Sequence, residues 1–127
     1  MIVVGAGVIV RDDGRILLTQ RGAGHLEGLW EFPGGKVEDG EDPRDTVVRE
    51  CREECAIEVR VDDILDVTFH RYPNKDVLLL FYRCTLVSGE VRHVEVADHA
   101  WVSIDEMHTY PMPPADEPVL KKIAAWR

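Results

Sequence analysis

A chain of 127 residues with 45% hydrophobic and 31% charged side chains is ordinary for a globular protein and is expected to form a single domain over residues 1–127. A formal net charge of −9 with no basic stripe excludes a general nucleic-acid binder, because no phosphate footprint is offered. The apolar start, residues 1–10, runs into Arg11-Asp12-Asp13 without a basic leader or cleavage site and is too short to span a membrane. Three cysteines without a C-x-x-C pair imply buried, reduced thiols in a cytoplasmic protein.

Residues 3–10 read as a buried strand, and the Asp12-Asp13-Gly14 turn leads to a hairpin partner over residues 15–20. Gly5-Ala6-Gly7 lies inside the first strand, with no third glycine and no following helix, so it is not a dinucleotide fingerprint. Arg21 ends the second strand and by itself reads as a surface charge. The glycine-rich loop of residues 22–28 holds His25, by default a solvent-exposed histidine. It leads to Leu29-Trp30-Glu31-Phe32-Pro33, where Trp30 and Phe32 read as core or loop anchors.

Residues 34–55 organise the chain. Gly34-Gly35-Lys36 lets the backbone come close to a ligand beside a cation. Asp42 is suited to cap a helix that Pro43 begins. At about 100° per residue, Val47, Val48, Cys51 and Cys55 share one arc of that helix, and Glu50, Glu53 and Glu54 share a neighbouring one. Like charges at the Glu50/Glu54 spacing cost a helix roughly 0.2–0.5 kcal/mol. An acidic face offset by Arg49 and Arg52 is the plain explanation. The glycine loop beside it favours a site for hard divalent cations, which take oxygen ligands from one or two carboxylates and from substrate phosphates.

Residues 57–72 read as strand, turn, strand, followed by a turn at Tyr72-Pro73-Asn74-Lys75-Asp76. Residues 77–87 form a long apolar strand expected at the sheet centre. Residues 91–96 read as a weaker strand and 99–103 as another. Ser103 caps a short helical turn over 104–107 with Glu106 at the capping-box position. The proline-rich link 110–114 precedes a closing helix over 115–126, with Val119, Leu120, Ile123 and Trp126 on its apolar face. The expected class is α/β, a mixed β-sheet between helices. Taken alone, Glu95 reads as a solvated acid, and Asp116 as a first-turn charge favoured by the helix dipole.

Gly35, Glu41, Arg49, Glu50, Glu53 and Glu54, with apolar Cys51 and Ile57, resemble the Nudix box of hydrolases that act on nucleoside-diphosphate-linked substrates. Six such positions at about one chance in fifteen each coincide at random on the order of 10⁻⁷ per start. The one departure is Ala56, where the family has glycine. Alanine there costs about 1 kcal/mol if the helix ends on a positive φ.

The resemblance implies an α/β/α Nudix sandwich. In it Glu50, Glu53 and Glu54, with the Gly34 or Gly35 carbonyl, hold Mg²⁺, for which Mn²⁺ substitutes. Arg49 and Glu41 brace loop and helix, and Arg21 and Lys36 meet substrate phosphates. Glu95, six residues before Trp101, matches a MutT-like metal ligand or general base, with Asp98 as the competing choice. Tyr110-Pro111 followed by Pro114-Ala115-Asp116 is similar to CTP pyrophosphohydrolase-like members, which makes Asp116 a base reader within reach of Lys75. Phe32 is counted in the same substrate-binding set. An ionised carboxylate matches the N1–H and N2–H edge of guanine, whereas reading cytosine at N3 and N4 requires a protonated one.

The implied activity is Mg²⁺-dependent pyrophosphohydrolysis of a nucleoside triphosphate, such as 8-oxo-dGTP or CTP, to the monophosphate and pyrophosphate. The alternatives are hydrolysis of an ADP-sugar or dinucleoside polyphosphate, and a non-catalytic nucleotide-binding sensor. The expected partner is a small-molecule nucleotide, with no nucleic acid and no membrane, in a monomer or homodimer.

Overall fold

In the computed structural model, which describes residues 1–126, the initial apolar run forms β1 (Ile2–Val10). Val8 is buried in one core and Ile9 in the other, so this strand has no polar face. β1 is the axis of a seven-stranded sheet and pairs in parallel with β6 (Lys75–Ser88). Its other edge passes from β4 (Gly34–Lys36), at Val4, Gly5 and Ala6, to β2 (Ile16–Gln20), at Val10. β2 carries β3 (Trp30–Glu31) and β7 (Asp98–Val102), and β5 (Glu58–Tyr72) pairs antiparallel with β6.

A helix covers each face of this mixed sheet. α1 (Pro43–Cys55) packs Val47, Cys51 and Cys55 against Ile9, Leu17 and Cys84. α2 (Glu117–Ala124) packs Val119 and Ile123 in the core that holds Val8, Leu18 and Phe81. The α/β/α arrangement expected from the sequence is thus the one observed. The three cysteines are free and buried, and burial pushes the Cys55 and Cys84 thiols up to about 12, which leaves them unreactive. Among the described residues no helix is long and apolar enough to cross a membrane.

The ends of α1 follow their local chemistry. Asp42 accepts a hydrogen bond from the Arg44 amide at 2.9 Å, and Pro43 takes the first helical position. The helix stops on Ala56, at φ 58° and ψ 35°, whose amide bonds back to the Arg52 carbonyl.

Several expected elements differ. Residues 57–72 contain no turn: β5 is one strand of 15 residues whose ladder to β6 absorbs the acidic stretch around Asp62 as register shifts. Residues 91–96 form no strand, because their amides bond the last carbonyls of α1 instead of a sheet neighbour. β6 is interior but lies one place from the centre, which β1 occupies.

The last two helical segments are also tighter than expected. A 3₁₀ segment, Ile104–Thr109, replaces the helical turn, and the Ser103 hydroxyl bonds the Glu106 side chain rather than the backbone. The closing helix starts late: Pro114–Asp116 is 3₁₀, with the Glu117 amide on the Pro114 carbonyl. The α-type donor for that carbonyl would be residue 118, a proline with no N–H.

Candidate active site

Beside β4, two cavities share Arg21, His25, Glu31, Gly34 and Gly35. The first is acidic. Glu50 and Glu54 stand on successive turns of α1 and line it together with Glu31 from β3 and Glu95 from the segment before β7. That segment is tied to the helix end: the Arg92 amide bonds the Cys55 carbonyl at 2.9 Å, and the Val94 and Glu95 amides both bond the Glu54 carbonyl at 3.2 Å. The unpaired carbonyls of the last helical turn therefore hold Glu95 beside Glu54.

The glycines leave room for this approach. A Cβ on Gly35 would stand 2.5 Å from the Glu50 carboxyl carbon, and one on Gly34 would collide with the Gly5 carbonyl oxygen across the β1–β4 pair.

Charge in the acidic cavity is poorly compensated. Burial, a hydrogen bond to Glu50 and the charges of Glu50, Glu31 and Glu95 raise the Glu54 carboxyl well above the usual carboxylate range. Burial also raises Glu31, against the Arg21 guanidinium 2.9 Å away. Four carboxylates with hard oxygen donors, crowded beside backbone carbonyls and short of cations, are a donor set suited to Mg²⁺.

Arg49 anchors the outer side of this group. It donates to Glu41 at 2.8 and 3.1 Å, to Glu50 at 2.9 Å, to Glu53 at 3.2 Å and to the Lys36 carbonyl at 3.2 Å. Thr46 donates to Glu41 at 2.6 Å. The Arg49 and Thr46 hydrogen bonds hold the Glu41 carboxyl down at about 2. Arg49 thereby links β4, the loop carrying Glu41 and α1, and orients Glu50.

The second cavity, about 250 Å³, is mainly apolar. Phe32 lies edge-on to Phe81 with ring centroids 6.1 Å apart, and Tyr72 lies edge-on to His25 at 5.3 Å. The Lys75 ammonium sits 5.5 Å from the Tyr72 ring centroid, and Lys36 lines the same cavity from its exposed position. Asp116 also lines it, at 5% exposure, and accepts no hydrogen bond from the described residues. Burial, then the charge of Glu31, pushes the Asp116 carboxyl up to about 7 against the pull of Arg21.

The structure thus gathers Glu50, Glu54, Glu95, Gly34, Gly35 and Arg21 around one cavity, and Phe32, Lys36, Lys75 and Asp116 around the adjoining one. Glu53 turns outward to Arg49, exposed and off the lining. Asp98 also faces elsewhere, beside His93 and His99, so of the two competing acids Glu95 is the one in the cavity. Glu31 escapes sequence reasoning. Its signal was a lone acid between Trp30 and Phe32, and its place depends on β3 pairing with β2 next to Arg21.

A NUDIX domain model matches residues 1–126. The chain is 39% identical over 128 residues to the CTP pyrophosphohydrolase of Escherichia coli K12, covering 100% of this chain and 94% of that one. It is 32% identical over 121 residues to the 8-oxo-dGTP diphosphatase of the same organism, covering 94% of each. Among solved structures, the MutT NUDIX hydrolase from Burkholderia pseudomallei superposes with a TM-score of 0.86 at 32% identity, covering 95% of this chain and 96% of that one.

Proposed function

This chain belongs to the NUDIX domain family of hydrolases, and we propose that it is a Mg²⁺-dependent nucleoside triphosphate pyrophosphohydrolase acting on a cytosine or oxidised guanine nucleotide. The observation that carries this reading is the continuity of the two cavities. One offers crowded carboxylates suited to a metal that meets phosphates, and the other is an apolar slot whose Asp116 carboxyl accepts no hydrogen bond from the described residues. The names of the two relatives, a CTP pyrophosphohydrolase and an 8-oxo-dGTP diphosphatase, support the same substrate class.

In this reading Glu50, Glu54 and Glu95, with the Gly34 or Gly35 carbonyl, would hold the metal, and Glu53, which points outward to Arg49, would join them by turning inward. When bound, Mg²⁺ neutralises charge on the phosphoryl oxygens and acidifies water. Glu95 or Glu54 accepts the proton of the attacking water, since both line the acidic cavity. Arg21, lining both cavities, neutralises phosphate oxygens with Lys36, while Arg49 and Glu41 keep Glu50 in place. Phe32 and Tyr72 bound the base slot, where Asp116 reads the base edge and Lys75 reaches it from the rim.

The test is Mg²⁺-dependent turnover of CTP, 8-oxo-dGTP, dGTP and ADP-ribose with products resolved, for the wild type and Glu54→Gln. Monophosphate plus pyrophosphate from a triphosphate is expected, with turnover in Glu54→Gln lower by roughly 10²–10⁴-fold. Turnover of ADP-ribose alone would sink the triphosphate assignment.

A further inference from the structure

A second group of side chains able to bind a cation stands apart from the acidic cavity. His93 lies in the segment that carries Glu95, and Asp98 and His99 open β7. Nε2 of His93 is 2.7 Å from Nδ1 of His99 and 3.9 Å from Oδ1 of Asp98. One ligand atom from each of the three lies within 4.8 Å of the others. None of the three lines either cavity of the candidate active site.

We propose that His93, Asp98 and His99 form a separate site for an imidazole-preferring divalent transition ion such as Zn²⁺. The donor chemistry selects the ion. Two imidazole nitrogens and one carboxylate oxygen suit Zn²⁺, Ni²⁺ or Cu²⁺, whereas Mg²⁺ prefers oxygen alone. Two nitrogens on a tetrahedral Zn²⁺ stand roughly 3.3 Å apart, given Zn–N bonds of about 2.0–2.1 Å. The His93 ring therefore has to withdraw only slightly from His99, and its exposed position permits that movement. Asp98 is already oriented, because its Oδ1 accepts the His99 backbone N–H at 2.8 Å. Water completes the coordination on the open side.

The placement has a mechanical consequence. The amides of Arg92, Val94 and Glu95 tie the segment to the end of α1, and the Ala97 amide ties it to Gln20. An ion between His93 and His99 replaces their 2.7 Å hydrogen bond with coordination bonds from the same segment to β7, which pairs with β2. Coordination bonds exchange more slowly than an exposed imidazole hydrogen bond, so the segment that carries Glu95 is held more firmly.

The experiment is a Zn²⁺ titration of the full chain in saturating Mg²⁺, followed by long-range ¹H–¹⁵N spectra of the imidazoles. His93 Nε2 and His99 Nδ1 are expected to shift at stoichiometric Zn²⁺, with His25, His70 and His108 unmoved. His93→Ala is expected to weaken Zn²⁺ affinity by about tenfold or more, and Glu54→Gln to leave it unchanged. Hydrogen exchange of the amides at 92–97 is expected to slow when Zn²⁺ binds. Unmoved His93 and His99 resonances, unaltered affinity in His93→Ala, or unaltered exchange at 92–97 would each overturn the proposal. The wild-type spectra decide it even if the variant folds poorly.

Discussion

At the scale of single residues, Asp116 has the most to say about substrate. A buried carboxyl with no hydrogen bond from the described residues, pushed up to about 7, changes charge near neutral pH. Protonated, it offers a donor and an acceptor, which complements N3 and the N4 amine of cytosine. Ionised, it offers acceptors only, which complements the N1–H and N2–H edge of guanine. The kcat/KM ratio for CTP over 8-oxo-dGTP is therefore expected to fall as pH rises through about 7. Asp116→Asn keeps a donor and an acceptor at every pH and should flatten that dependence, as steady-state kinetics at pH 6 to 8 would show.

The same shift predicts a stability change. The folded carboxyl titrates at about 7 and its ordinary value is 3.8, so between these values the folded state binds more protons than the unfolded one. Its contribution is fully present below about 4 and is lost as pH rises to about 7. Wild type should lose about 3 kcal/mol relative to Asp116→Asn between pH 4.5 and 8, measured by urea unfolding. A constant difference would contradict the sign.

At the scale of elements, α1 explains both its own ends and the geometry of the carboxylates. Asp42 and Pro43 start it, and the left-handed Ala56 ends it where glycine would fit without a Cβ penalty. Ala56→Gly is expected to raise unfolding stability by about 0.5–1 kcal/mol, read from urea melts. Arg49 works through Glu50 and Glu41 on this helix and its preceding loop. A lysine has no planar fork to donate twice to Glu41 while also reaching Glu50. Arg49→Lys should weaken Mg²⁺ affinity about 10–100-fold, by calorimetric titration, with the fold retained by circular dichroism. An unchanged affinity would make Arg49 a surface charge.

At the scale of the whole molecule, the fold holds four carboxylates together from α1, β3 and the segment before β7, with Arg21 as the cation that lines the cavity with them. Burial and the charges of Glu50, Glu31 and Glu95 act against an ionised Glu54 in the folded state, an imbalance that a bound divalent ion would relieve. Mg²⁺ should raise the melting temperature and a chelator lower it, with stabilisation of about 2.7 kcal/mol at a hundred times Kd. In metal-free buffer near neutral pH Glu54→Gln should melt above wild type, because the raised Glu54 carboxyl must take up a proton to be buried there and an amide need not. It should also gain less from Mg²⁺, by differential scanning calorimetry.

The sequence alone determined what depends on neighbours along the chain. Asp42-Pro43, the spacing of Glu50 and Glu54 and the two-faced apolar run of β1 are local rules of capping, period and burial, whereas the positive φ at Ala56 was seen only in the structure. Tertiary structure decided what depends on partners distant in sequence. Glu31 became part of the site because β3 pairs with β2 beside Arg21. Glu95 rather than Asp98 entered the cavity because the amides of its segment found the open carbonyls of α1. Those same carbonyls took residues 91–96 out of the sheet, and no periodicity in that segment could have foretold it. Asp116 acquired its raised carboxyl only where the 3₁₀ lead of α2 closes the apolar slot, since desolvation belongs to the assembled core and not to the residue.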